Sequence, residues 1–154
     1  MKIDGFFARV TDRHGSDMQC SSGCSDCCHV RLTVTSVEAT AIRALIATMT
    51  ADQRAALFAG SKEVSDRCSA LSPQGRCQIY EARPFVCRTH GAPIRMTRAS
   101  LPVIESCFRN FGTVTPEPDC VLDQTTLSAL TLSVDRDAGG NGSRLDLADV
   151  ISSC

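Results

Sequence analysis

Four cysteines fall within nine residues, Cys20, Cys24, Cys27 and Cys28, and after a long gap come Cys68, Cys77, Cys87 and Cys107. Cys24-Ser-Asp-Cys27 has the spacing at which two thiolates on a tight turn reach one metal ion. Redox dithiols use the same spacing, but they want a βαβ context that the flanking sequence lacks. A closed zinc site takes four ligands and a cubane iron–sulfur cluster takes four cysteines. Eight cysteines therefore suffice for two four-thiolate sites, or for one site with ligands in reserve. Residues 29–67 hold no cysteine, so the enrichment belongs to loops rather than to the whole chain. Cys120 and Cys154 lie apart from both groups and are read as bystanders.

Cys27 and Cys28 are neighbours, and in extended backbone neighbouring side chains point to opposite sides. The expectation is one thiolate on each of two nearby sites; the alternative is that one of the pair fills an apolar core. His90 stands three residues past Cys87, and a Cys-x-x-His turn can close on one ion. A histidine bonded to a loop carbonyl is the competing reading. His29 could serve in the same way, and His14 reads as a cation at a helix end. Arg83 and Arg88 are the candidates to hold an anionic cofactor or substrate group. Cys20-x3-Cys24-x2-Cys27 is also the spacing of radical-SAM enzymes, which present it after the first strand of a large partial barrel. Here a helix precedes it and no run of alternating strands and helices follows, so the fold class argues against that reading.

The chain has 154 residues, 43% hydrophobic and 21% charged, which is ordinary globular material and suggests one domain over residues 1–154. Ten cysteines raise the alternative of an exported disulfide scaffold. Residues 1–15 carry no apolar core segment and no small-residue cleavage site, and no apolar run approaches bilayer length. The expected location is cytoplasmic, where thiols stay reduced and bind metal or do chemistry. A net charge of −1 gives no general attraction to nucleic acid or to an anionic membrane, so neither is an expected partner. Between residues 76 and 109, however, Arg76, Arg83, Arg88, Arg95, Arg98 and Arg109 face only Glu81 and Glu105. Such guanidinium groups would stabilise a thiolate-rich site, unless they form no more than a basic surface.

The elements that must position these residues are mainly helical. Ile3, Phe6, Phe7 and Val10 recur at helical spacing over residues 2–13. Val30, Leu32 and Val34 alternate as in a short strand. Thr35 with Glu38 and Thr50 with Gln53 are capping-box signatures. They open one helix lined by Ile42, Leu45, Ile46 and Met49, and a second towards residue 67 that buries Leu57, Phe58 and Val64. Residues 92–96 and 101–104 are expected to pair as a short β-hairpin. Asp123 can cap a last helix on which Leu127, Leu130 and Val134 share a face, ended by the 139–142 glycine cluster, and Ser143 a brief terminal turn. The expected fold is a mainly α domain of three to four helices with irregular cysteine-rich metal-binding loops.

The run C-x3-C-xx-CC, then C-x8-C-QIYEARPFVCRTHGAPI, then SCFRNF and LDQTTLSAL, resembles the CxxCxxCC (YkgJ-like) cysteine-cluster proteins over about residues 20–136. The resemblance implies that Cys20, Cys24, Cys27, Cys28, Cys68, Cys77, Cys87 and Cys107 chelate zinc or iron. The first gap holds Ser21, Ser22 and Gly23, one residue more than the family name implies, and Gly23 can absorb it in a turn. The expected function is a metal-binding module with zinc, or alternatively iron or a 4Fe–4S cluster, as its cofactor, serving a protein partner. Two alternatives stand beside it. One is a metal- or iron–sulfur-dependent enzyme, methyltransferase-like by distant kinship; the other is a thiol redox sensor using Cys27 and Cys28.

Overall fold

The computed structural model describes residues 2–21, 23–62 and 66–154, and is mainly α with some β. Its elements run α1 (Lys2–His14), β1 (Thr33–Val34), α2 (Ser36–Thr48), α3 (Ala51–Ser61), α4 (Phe85–Thr89), β2 (Ile94–Arg98), β3 (Leu101–Glu105), β4 (Leu122–Asp123), α5 (Gln124–Asp137), β5 (Leu145–Asp146) and α6 (Leu147–Ser152). They divide into two compact units, residues 1–21 with 85–131 and residues 22–84 with 132–154.

The second unit is built on α2 and α3. Both expected capping boxes form. The Thr35 side chain accepts from the Glu38 N–H while Glu38 accepts from Thr35, and Thr50 and Gln53 do the same. These exchanges satisfy backbone donors that a helix start leaves without partners. Ala39, Ile42 and Ile46 of α2 and Leu57 of α3 are buried, and Leu147, Val150 and Ile151 of α6 pack into the same cluster. The expected burial of Val64 lies outside the described residues. β1 pairs antiparallel with β5, Thr33 opposite Asp146 and Val34 opposite Leu145. The strand is thus shorter than the alternation from Val30 suggests, with Val30 itself exposed.

Helix α6 corrects the expected terminal turn. Its N-cap is Asp146, which accepts from the Ala148 N–H at 2.8 Å, rather than Ser143. The glycine cluster after α5 does end that helix, with Gly139 and Gly142 at positive φ. Leu130 and Val134 share a face as read, but both are 54% exposed. The fully buried residue near the C-terminus of α5 is Asp135, whose carboxylate accepts from the N–H of Val37 at 3.0 Å and of Gly142 at 3.1 Å.

In the first unit α1 presents Ile3, with Phe6 and Phe7 beside it, to a small cluster containing Ala92, Leu122, Phe85, Ile94 and Leu127. The expected hairpin is present as β2 and β3, Ile94 opposite Glu105 through Arg98 opposite Leu101. Its two-residue turn places Ala99 and Ser100 at φ 46° and 67°. Both values are the left-handed conformation that a tight hairpin requires. β4 adds in parallel on the other side of β2. Among the described residues no helix is long and apolar enough to cross a membrane.

Replacing Asp135 by alanine should leave two part-buried N–H groups, of Val37 and Gly142, without this acceptor. The expected loss is about 2–3 kcal/mol of unfolding free energy, read as a lower urea midpoint at unchanged slope.

Candidate metal centre

In the second unit the chain from Cys68 to Gln78 turns back on itself. Ser72 N–H donates to Arg76 O at 2.8 Å, Gly75 N–H to Ser72 O at 3.0 Å and Gln78 N–H to Ala70 O at 2.9 Å, while Leu71 and Cys77 form a bridge. Gly75, at φ +73°, makes the tip. A Cβ there would meet the Ser25 hydroxyl at 3.3 Å and Gly23 O at 3.7 Å, so the tip rests against the residues on either side of Cys24. This turn brings Cys68 and Cys77, with eight residues between them, against the same apolar cluster of the unit. Cys28 packs against the same cluster, and its carbonyl accepts from the Cys68 N–H at 2.7 Å.

Residues Asp26–Cys28 form a single 3-10 turn, which corrects the expectation that Cys27 and Cys28 diverge. The bend puts their sulfurs 4.0 Å apart on one side. Two thiolates sharing a tetrahedral zinc at 2.3 Å stand about 3.8 Å apart, so this pair is spaced to serve one ion. Gly23, just before Cys24, lies at φ +93°, a conformation open to glycine.

The electrostatics of this group oppose ionisation. Burial first, then the nearby sulfurs of Cys77 and Cys27, push the Cys68 thiol up. Burial likewise raises Cys77. Cys27 is raised above all by its contact with Cys28, then by burial. Against this, backbone N–H groups of Ala70 and Ile79 donate to the sulfurs of Cys68 and Cys77, and the Arg83 charge favours the Cys77 thiolate. Arg83 also lies over the Tyr80 ring, 4.1 Å from its centroid. Donors aimed at sulfur from two residues ahead suit a metal-bound thiolate and cost nothing extra when the cation arrives.

The first unit holds Cys20, Cys87, Cys107 and His90. Cys87 is on α4, whose end leads through His90 to Gly91. Asn110, 3% exposed, organises this region. Its amide donates to Gly91 O at 2.8 Å and to Cys20 Sγ at 3.3 Å, its carbonyl accepts from the Gln19 N–H, and its own N–H reaches Cys107 O at 2.8 Å. A Cβ on Gly91, at φ +95°, would come within 2.8 Å of Cys20 Sγ. Desolvation lowers the His90 pKa and favours the neutral ring, the form that binds metal. Arg88 donates to Asp4 of α1 at 3.1 Å, so its charge is engaged inside the unit. Arg98 pairs with Glu105, and Arg109 lies over Phe108.

Sequence reasoning missed a third arrangement, also in the first unit. His14 at the end of α1, Glu117 and Cys120 offer donor atoms that all lie within 4.8 Å of one another. Among the described residues no three of the family-type cysteines draw their sulfurs that close. The signal was thin: a histidine that continues the apolar stripe of Phe7 and Val10 at the end of α1, and Glu-x-x-Cys on a proline-containing turn.

A family model for CxxCxxCC, described as "Putative zinc- or iron-chelating domain", matches residues 19–107. That span includes all eight family-type cysteines and His90, and excludes His14, Glu117 and Cys120. No curated protein and no solved structure matches the chain.

Raised thiol pKa values have a definite sign in the metal-free protein. The folded state keeps Cys68 and Cys77 protonated where the unfolded chain, with thiols near 9, has released its protons. Their contribution to stability is complete below that pH and is lost as pH rises through the folded values. The thermal midpoint of metal-free protein should therefore fall above about pH 9, and a Cys68→Ala, Cys77→Ala double variant should show a shallower fall. A midpoint independent of pH there would contradict the assigned burial. Gly91→Ala should displace Cys20 and cost about 1–3 kcal/mol through strain and overlap, measured by urea unfolding.

Proposed function

The chain belongs to the CxxCxxCC family, and on that premise we propose that it is a metal-binding module whose clustered thiolates take zinc. The observation that supports this reading is the packing of Cys28, Cys68 and Cys77 with one apolar cluster, with the Cys27 sulfur 4.0 Å from that of Cys28 and backbone N–H groups already directed at two of the sulfurs. Cys24 is the reserve ligand of that group. In the first unit we assign Cys20, Cys87 and Cys107, with His90, to a second group, a reading supported by their common unit and by the Asn110 contacts with Cys20 and Cys107. A bound divalent ion would supply the positive charge that lets raised thiols release their protons, and would fix the loops that carry them.

Zinc is favoured over iron by the mixture of sulfur with an available imidazole and by the closed, structural character of a knuckle-like turn. A 4Fe–4S cluster is the second form of the same reading, since four thiolates also suit it. The redox-sensor reading fares worse, because the nucleophile is the thiolate and Cys27 is pushed towards the thiol. The enzymatic reading wanted Arg83 or Arg88 for an anionic substrate. Arg83 is spent on Tyr80 and the Cys77 sulfur, and Arg88 on Asp4.

Protein purified without oxygen should contain zinc by elemental analysis and be colourless; a brown sample with iron and sulfide would replace zinc by the cluster. Cys68→Ser and Cys77→Ser should each lose the metal of the second unit. Chelation should expose the 68–78 backbone to hydrogen exchange, while the circular dichroism of the helices largely persists. A fully folded wild-type protein with neither zinc nor iron would end the proposal.

A further inference from the structure

We propose that His14, Glu117 and Cys120 form a separate site for a zinc-class divalent cation, distinct from the cysteine groups. The three residues come from two segments of the first unit: the last turn of α1, and the short 3-10 turn Pro118–Cys120 with Glu117 as its N-cap. Cys120 N–H donates to Glu117 O at 2.8 Å, so the turn holds both side chains on the same side. His14 Nε2 is in direct contact with Glu117 Oε2, and the Cys120 sulfur lies within the same 4.8 Å set.

The histidine is already arranged as metal-binding histidines are. Its Nδ1 faces Asp17 Oδ2 at 3.4 Å, and its ring packs edge-on against Phe111 at 5.2 Å between centroids. A carboxylate on one ring nitrogen fixes the orientation and strengthens the other nitrogen as a ligand. Here that other nitrogen is the one pointed at Glu117 and Cys120. His14 is 5% exposed and Cys120 is fully buried, whereas the Glu117 side chain is 54% exposed and can swing to close the set.

A plain ion pair accounts for His14 with Glu117, and for Arg13 with Asp119 at 2.7 Å. It gives no reason for the sulfur. Cys120 is buried yet belongs to neither apolar cluster, and its near neighbours include Arg13 Nη1 at 4.0 Å. A cation there, with the guanidinium close by, favours loss of the thiol proton to solvent. One thiolate and one carboxylate then balance a divalent ion, with the imidazole as third ligand. Sulfur and nitrogen donors exclude calcium and magnesium, which take oxygen, and a carboxylate beside them suits zinc better than copper(I). Three protein ligands are also the number that leaves one zinc position to water.

The test uses the full chain with zinc ions as probe. At saturating free zinc, His14→Gln, Glu117→Gln and Cys120→Ser should each bind about one zinc per chain less than wild type. The zinc held by the family cysteines should be unchanged. Asp17→Asn should keep the full stoichiometry at saturation but bind the lost equivalent about 10–100-fold more weakly. Because Cys120→Ser can unfold the first unit, the solvent-facing Glu117→Gln decides the matter alone if need be. Wild-type stoichiometry in folded Glu117→Gln and His14→Gln would overturn the site and leave an ion pair. Loss of zinc from Cys68→Ser with these three unaffected would support the family site and not this one, so the two readings fail separately.

Discussion

Gathering thiols against an apolar core raises the free energy of every charged form among them, and the second unit is arranged around that constraint. Cys68 and Cys77 are carried by one tight turn, and Cys28 with Cys27 beside it by another, to the apolar cluster of α2, α3 and α6. Burial and mutual repulsion hold the sulfurs in the thiol form. The N–H groups of Ala70 and Ile79 and the charge of Arg83 work in the other direction. Alone they are too weak to win. A cation among the sulfurs adds an attraction larger than either set of terms, which is why metal and loop structure are coupled in such a site.

The regular elements serve this arrangement by being stable without it. The two capping boxes fix where α2 and α3 begin, and therefore which faces they turn to Leu147, Val150 and Ile151. Asp135 joins the start of α2 to the glycine turn after α5 through two N–H groups. In the first unit Asn110 does comparable work: its side-chain amide ties Gly91, Cys20 and Gln19 together, and its backbone N–H closes the turn from Cys107. The family match spans both Cys20 and Cys107 and stops short of Asn110, although it is Asn110 that holds them.

Signals carried by neighbours in sequence were readable, and those that need the fold were not. Capping boxes, the β2–β3 hairpin and the helical stripe of α1 depend on residues within a turn or two, and all formed. Helix α6 escaped because six residues give too little periodicity, and its cap, Asp146, lies three positions past the serine that looked the part. Leu130 and Val134 follow a helical stripe yet face solvent, and the residue of that helix that is buried is Asp135. The Cys27–Cys28 pair was misread by assuming extended backbone where Ser25 O accepts from the Cys28 N–H and bends the chain. The eight-cysteine pattern itself stood plainly in the spacing; which sulfurs meet did not.

His14, Glu117 and Cys120 show the same limit from the other side. Over a hundred residues separate the histidine from its two neighbours, so no local pattern links them. What links them physically is that α1 ends where the Glu117–Cys120 turn passes, and a buried sulfur, a buried imidazole and a half-exposed carboxylate then share one small volume. The thiol-rich groups need a cation to relieve repulsion between like donors. This mixed set already contains an attraction, the imidazole with the carboxylate, so it folds with or without an ion. A metal there would compete with an existing ion pair and gain mainly from the thiolate. Its binding should accordingly be weaker and more easily reversed than binding at the cysteine groups, as suits a position with one coordination place left to solvent.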